Sequence, residues 1–254
     1  MGGKIDRTNE ENISHEGYIM RIVEYHGNKN MIIEFQDKYK TKIKCAYKEF
    51  KNGEIKNPYH PSVYNVGYIG VGKYHKNTHK EIYQSWRDML KRCYDPYELN
   101  KYPTYIDCYV YEEWCNFQEY AKWHESNHYE IFNQRMHLDK DILAKGNKIY
   151  SPDTCVFVPE RVNELFTKSD AIRGEYPIGV NYHKQHKKLQ VRCNTLKEKR
   201  KHLGYFPLNK PFQAFTAYKN FKENYIKEVA DEYKDLIPQK LYEAMYNYEV
   251  EIND

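Results

Sequence analysis

Between His183 and His202 the chain sets Lys184, Lys187, Lys188, Arg192, Lys197, Lys199, Arg200 and Lys201 against a single acid, Glu198. Cations packed this closely suit contact with phosphates, and the tail after Lys222 leans acidic, so the charge is expected on one face. Gly67-Tyr-Ile-Gly-Val-Gly72-Lys73 has the spacing of a phosphate-binding loop up to its last position, where Tyr74 replaces the hydroxyl residue that would hold magnesium. A helix should follow at once, but Tyr-His-Lys-Asn-Thr intervenes, so 67–78 reads as a glycine-rich linker. His124 and His128 are four apart, and on a continuing helix they would share a face as zinc pairs do. Cys108, Cys115 and His137 are the nearest partners, but these spacings match no usual zinc set, so zinc is not expected. Lys140 sits between Asp139 and Asp141. A lysine ammonium, with an ordinary pKa of roughly 10.4, is a poor base at neutral pH unless burial lowers it.

The elements that must position these residues are legible from periodicity. Residues 1–16 are polar and read as a flexible arm. Tyr18–Tyr25, Met31–Gln36 and Thr41–Tyr47 read as three strands of a small β module spanning 17–66. Thr78–Tyr94 reads as a helix with Ile82, Trp86, Met89, Leu90 and Cys93 on one side, ended by Asp95-Pro96. A second helix is expected over Tyr111–Glu125, with Trp114, Phe117 and Ala121 inward. Leu138–Phe166 has the order strand, turn, strand, helix. The turns are at Gly146-Asn147 and Tyr150-Ser-Pro-Asp153, and Asn163 lies on the helix. Thr167–Tyr176 reads as a linker. Ile178–Tyr182, Lys188–Cys193 and His202–Phe206 read as three further strands, Phe212–Tyr233 as an amphipathic helix, and Ile237–Ile252 as a closing helix after Pro238.

Leu138-Asp-Lys-Asp141, Gly146-Asn-Lys-Ile-Tyr150, Pro152-Asp-Thr-Cys155 and Asn163 together resemble the degenerate HNH-type nuclease modules of phage genomes. The Trp86-x-x-Met89-x-x-Arg92-Cys93-Tyr94 and Glu113-Trp114-x-x-Phe117 helices resemble those preceding that segment in the same modules. There they would pack under the hairpin, giving an HNH-like ββα domain over 79–171. In that family a His deprotonates a water, while an Asp and an Asn hold one divalent metal on the scissile phosphate. The resemblance places Asp139 and Asn163 as the metal-holding pair, with magnesium or manganese as cofactor and Asp141 or Asp153 as a third ligand. Lys140 stands where the His would be, as a phosphate-binding cation, and Thr154 where a central Asn is often seen. His137 is the alternative base. It lies three positions from Lys140, which on a regular strand means opposite faces. Gly17-Tyr-Ile-Met20 through Phe50-Lys-Asn-Gly-x-Ile-x-Asn-Pro58 resembles an N-terminal segment carried by such phage proteins, with no chemistry assigned to it.

Gly179-Val180, Leu189-Gln-Val-Arg192, Lys201-x-Leu-Gly-Tyr-Phe206 and Ala214-x-x-Ala217-Tyr218 resemble the DNA-binding domain of the plant ethylene-response-factor (APETALA) type. That resemblance implies, over 172–254, a three-stranded antiparallel sheet lying in the major groove of duplex DNA and braced by its helix. Lys184, Lys187, Lys188, Gln190, Arg192, Lys199, Arg200 and Lys201 would be the contact residues. The family's usual Trp is missing, with Tyr182 the closest aromatic.

Taken together, the 254 residues predict an α+β chain of three modules: a small β module, the HNH-like domain, and the sheet on a helix. Six Cys form no C-x-x-C pair, which suggests a reducing cytoplasm, in this case a bacterial host's. No apolar run nears the roughly 20 residues needed to cross a bilayer. Three functions stay open. The first is a phage DNA-binding protein whose cleavage is lost or weak. The second is a metal-dependent, site-selective nicking endonuclease of the homing kind. The third is an inhibitor that engages a host or defence protein.

Overall fold

A computed structural model of the chain describes residues 5–166 and 175–252. The linker expected around Arg173-Gly174 lies outside the described residues. The architecture is α+β, in two compact units, Met1–Glu125 and Ser126–Asp254.

The first unit opens with a four-stranded antiparallel sheet in chain order, β1 (Glu11–Ile13), β2 (Ile19–Tyr25), β3 (Met31–Phe35) and β4 (Lys42–Cys45). Part of the segment read as a flexible arm thus forms a strand, pairing Glu11 with Arg21 and Ile13 with Ile19. Alternation in β3 buries Met31, Ile33 and Phe35 on the face that also takes Met20, Ile22 and Phe50. Phe50 belongs to α1 (Tyr47–Asn52), whose first turn is closed by the Glu49 carboxylate accepting from the Ala46 N–H at 2.8 Å. α2 (Lys80–Tyr94) buries Trp86, Met89, Leu90 and Cys93 as its periodicity predicts. Asp95-Pro96 ends α2 and also starts α3 (Pro96–Lys101). The Asp95 carboxylate caps the N–H groups of Tyr97 and Glu98, and the proline occupies the first turn. Short extended residues Tyr109–Val110 (β5) and a single-turn helix at Glu112–Cys115 precede α4 (Phe117–Asn127). Trp86 donates through Nε1 to the Trp114 carbonyl at 2.7 Å and packs on Phe117, so these helices share an aromatic core.

Within the stretch 67–78, Ile69 and Tyr74 are tied to α4, while His75–Thr78 are exposed. Gln118 of α4 donates to the carbonyls of Ile69 and Tyr74 and accepts from the Tyr74 N–H. A Cβ on Gly72 would stand 2.2 Å from the Gln118 Oε1, so the glycine reflects close approach of the loop to that side chain.

In the second unit, β6 (Met136–Asp139) pairs antiparallel with β8 (Val156–Pro159), His137 opposite Val158 and Asp139 opposite Val156. Between them lie a turn and Ile149–Tyr150 (β7), and α5 (Glu160–Asn163) follows at once. Three further strands, β9 (Val180–His183), β10 (Lys188–Cys193) and β11 (Lys201–Phe206), form an antiparallel sheet in the order β11-β10-β9. That sheet packs on the long helix α6 (Pro211–Tyr233), and α7 (Gln239–Tyr246) closes the chain. The first half of α6 lies under the sheet, where Ala214, Phe215 and Tyr218 meet Val180, Leu189, Val191 and Cys193. Its second half, with Ile226, Val229, Ala230 and Tyr233, packs with α7 against Val156 and Val158 of the hairpin and Val162 of α5. One helix is therefore the spine of both β elements, and the hairpin is supported by helices later in the chain. Gly179, at φ +77°, is where the first sheet strand begins. A Cβ there would meet the Tyr218 ring at 2.1 Å. Among the described residues no helix is long and apolar enough to cross a membrane.

Candidate functional site

The C-terminal sheet has two faces of different chemistry. On β10, Leu189, Val191 and Cys193 turn toward α6, and strict alternation puts Lys188, Gln190 and Arg192 on the other face. Their cross-strand partners extend that outer face: His183 beside Lys188, Asn181 and Tyr205 beside Gln190, and His202 beside Arg192. Gln190 is buried among them. Its Nε2 donates to the Tyr205 hydroxyl at 3.2 Å and lies 3.3 Å from the His202 Nδ1. His183 and His186 stack at 4.8 Å, and both pack on Tyr205. The centre of the face is thus a fixed shelf of rings and one amide, with Lys188 and Arg192 at its ends.

The remaining cations lie in the two connecting turns. Lys184 and Lys187 occupy the β9–β10 turn, where Lys187 takes a left-handed φ of 48°. Lys199 and Arg200 occupy the β10–β11 turn, where Arg200, at φ 57°, donates its N–H to the Asn194 Oδ1 at 2.9 Å. All four are exposed. Lys201 is also exposed, but it lies on the other side of the sheet. It pairs with Cys193, on the helix side, and its ammonium lies 5.0 Å over the Phe221 ring of α6. A register shift between Val191 and Arg192 turns the start of β11, so Lys201 and Arg192 face opposite ways. Sequence reasoning had passed over His183, His186, His202 and Tyr205. Their signal was cross-strand, and a one-residue bulge hides it from a reading of single strands.

The hairpin places the second set of candidates. His137 and Asp139 share one face of β6, while Leu138 and Lys140 share the buried one. The useful relation of His137 is therefore with Asp139, two positions on, rather than with Lys140. Asp139 Oδ1 accepts the N–H groups of Asp141 and Ile142 at 2.9 and 2.7 Å, which starts the turn after β6. Burial, helped by the neighbouring Asp141 carboxylate, pushes the Asp139 carboxyl up to about 6. Lys140 is buried, only 6% exposed. Its ammonium donates to the Asn147 carbonyl at 2.8 Å and the Asp141 carboxylate at 3.1 Å, below the Tyr150 ring. Asn147 returns the contact by donating to the Lys140 carbonyl at 2.7 Å. Lys140 therefore closes the loop of the hairpin and does not present its charge to a phosphate. Thr154 is likewise turned inward, donating to the Ile149 carbonyl at 2.8 Å, while Asp153 is exposed. Asn163 ends α5, which packs against β6 and β8.

The residues fit a divalent cation through Asp139. A cation at its carboxylate would offset the burial of that group and the proximity of Asp141. Asn163 would be the second holder. No three His, Cys, Asp or Glu side chains gather as a metal cluster among the described residues. α4 ends at Asn127, before His128, so His124 and His128 do not share a helix face. Buried Cys108 and Cys115 donate their thiols to the Thr104 and Tyr111 carbonyls. Lys73, the cation of the phosphate-loop reading, pairs with Glu125 at 2.9 Å.

No family model, curated protein or solved structure matches the chain.

Proposed function

We propose that this chain binds duplex DNA through the outer face of its C-terminal sheet, within a bacterial cytoplasm, and that its HNH-like hairpin serves mainly as scaffold. The observation that carries this reading is the arrangement of charge on the sheet. The β9–β10 and β10–β11 turns lie at opposite ends of β10, roughly 17 Å apart at about 3.4 Å per residue. Lys184 and Lys187 at one end and Lys199 and Arg200 at the other bracket the stripe of Lys188, Gln190 and Arg192. A major groove about 12 Å wide has phosphates on both banks and base edges between them. Cations at the two ends suit the banks, and the central stripe suits the floor. Phosphate contacts would supply most of the affinity and orient the sheet, leaving Arg192 to meet bases, while the buried Gln190 fixes the shelf beneath them.

The test is duplex binding followed by fluorescence anisotropy across a salt series. Changing Lys187 and Arg200, one in each turn, together to Ala should weaken binding and flatten the slope of log K against log salt by about 1.8, at roughly 0.9 per phosphate contact. An unchanged slope would remove the sheet as the docking face.

One observation favours a second reading, a metal-dependent nicking endonuclease: His137 and Asp139 project from one face of β6, and Asn163 lies on the helix packed beside it. Asp139 and Asn163 would hold magnesium or manganese there, and His137 would take the proton from a water. Supercoiled-plasmid nicking should then be lost in Asp139→Ala, Asn163→Ala and His137→Ala. Magnesium or manganese should also raise the melting temperature of the unaltered chain at pH 8 but not that of Asp139→Ala. Absence of both effects leaves the hairpin a scaffold.

A further inference from the structure

The N-terminal sheet carries a site that neither reading uses. Where the β3–β4 turn meets the segment after α1, Tyr18, Tyr39, Tyr59 and Tyr68 line an open cavity of about 350 Å³, with Lys38 and Pro61 at its wall. That volume is within the range of small-ligand clefts, about 300–1,000 Å³. Tyr39 and Tyr59 stack face to face, 3.7 Å between centroids and 8° between planes, and Tyr68 tilts against both. Asp37 also lines the cavity, but its carboxylate is taken up in holding the stack. Asp37 accepts the N–H groups of Tyr39 and Lys40 through Oδ1 and the Asn57 amide through Oδ2 at 2.7 Å, so its carboxylate is fully engaged in shaping the turn. Tyr39 nevertheless stays 37% exposed. An aromatic stack fixed by its own turn is a surface on which one more planar ring can be added, once the exposed Lys38 side chain over Tyr39 swings aside.

Charge narrows the occupant. Lys38 lies 4.9 Å over the Tyr39 ring, and Lys40, Lys42 and Lys44 continue outward along the turn and the edge strand β4, all exposed. Glu34 stands opposite Lys42 and is the one acid on β3 beside this strip. A planar ligand trailing a polyanion meets both features, whereas a proline-rich peptide would use the rings and leave the lysines unmatched. We propose that this pocket stacks an unpaired base of single-stranded nucleic acid, with Lys38 and the β4 lysines following its phosphates. The site is distinct from the C-terminal sheet, which is suited to a duplex.

The experiment uses the full chain and four labelled probes: a 12-nucleotide oligo-dT, the matching oligo-rU, an abasic 12-mer of equal charge, and a 12-base-pair duplex. The base-bearing strands should bind on the order of 10-fold or more tighter than the abasic one, since each stacked base contributes substantially to affinity. Tyr39→Ala should erase that preference while changing duplex binding less than about twofold, and Tyr39→Phe should keep it. Lys38→Glu should weaken binding of the base-bearing and abasic strands alike, by its charge. The preference should persist when Lys188 and Arg192 are changed to Ala, which separates this pocket from the sheet. A stronger response to oligo-rU than to oligo-dT would identify RNA as the source, and the reverse would identify DNA. Equal binding of base-bearing and abasic strands would overturn the proposal. So would displacement of oligo-dT by a proline-rich peptide at lower concentration than by unlabelled oligo-dT.

Discussion

The hairpin β6–β8 and the sheet β9–β11 rest on the two halves of one helix and put their polar residues to opposite uses. In the hairpin the charged and amide side chains are turned back on the chain: Asp139 onto two N–H groups, Lys140 onto Asn147 and Asp141, Thr154 onto Ile149. In the sheet the corresponding groups stand away from the core, on the outer face or in exposed turns. Both are antiparallel β elements over an aromatic and aliphatic core, and both are rich in Lys and Asn. The difference lies in the loop. A nine-residue excursion between β6 and β7 must satisfy its own backbone, and the nearest polar side chains do it. The four-residue β9–β10 turn and the seven-residue β10–β11 turn, whose backbone Asn194 and Thr195 satisfy, leave Lys184, Lys187, Lys199 and Arg200 exposed for a partner.

The largest effect that would break this contrast is on the hairpin's stability. Lys140→Ala removes a buried donor to the Asn147 carbonyl and the counter-charge of Asp141, and should cost about 2–4 kcal/mol in denaturant unfolding. The salt slope of duplex binding should not change. A variant of unaltered stability with a flatter slope would mean that Lys140 reaches DNA after all.

How much of this was readable beforehand can be judged residue by residue. Leu138 and Lys140 are two apart on a strand, so the burial of one already implied the inward direction of the other. Only the charge of Lys140 argued against it. The long apolar side of α6 was equally plain, from Phe215 to Tyr233. Its two separate partners were not, because periodicity marks a buried face without saying what covers it. β1 was hidden by its polarity. Glu11-Asn-Ile is held as an edge strand by its ladder to β2 and by the Asn12 amide donating to the Phe50 and Lys51 carbonyls, none of which a hydropathy pattern records. The tyrosine pocket needed the fold, since Tyr18, Tyr39, Tyr59 and Tyr68 come from four separate segments.

A second effect, intermediate in size, concerns Asp139 and pH. In the unfolded chain this carboxyl releases its proton near 3.8, and in the folded chain near 6. The folded state therefore holds the extra proton between those values. The stabilisation this gives is fully present below pH 3.8 and is lost as pH rises through 6. Asp139→Asn keeps an acceptor for the Asp141 and Ile142 N–H groups without the charge. It should raise stability at pH 8 by on the order of 1–2 kcal/mol, with little change at pH 4. Thermal unfolding at the two pH values decides this. Equal shifts at both would show that the carboxyl is not held protonated by its surroundings, and would weaken the view of the hairpin as a self-satisfied element.

The smallest effect sharpens the contrast within the sheet itself. Arg192 and Lys201 both belong to the basic stretch, yet the bulge between Val191 and Arg192 sends one outward and the other over Phe221. Arg192→Ala should reduce the salt slope by about 0.9, the value for one phosphate contact, or else relax base preference if Arg192 reads a guanine edge. Lys201→Ala should leave the slope within error and lower stability by about 0.5–1 kcal/mol, through loss of its packing on the ring. A Lys201 variant that flattens the slope as much as the Arg192 variant would show that the helix side of the sheet also meets phosphate. Docking would then be on the edge strand β11 rather than on the face, with Lys201, Lys199 and Arg200 as its anchors and the histidine–tyrosine shelf turned away from the groove.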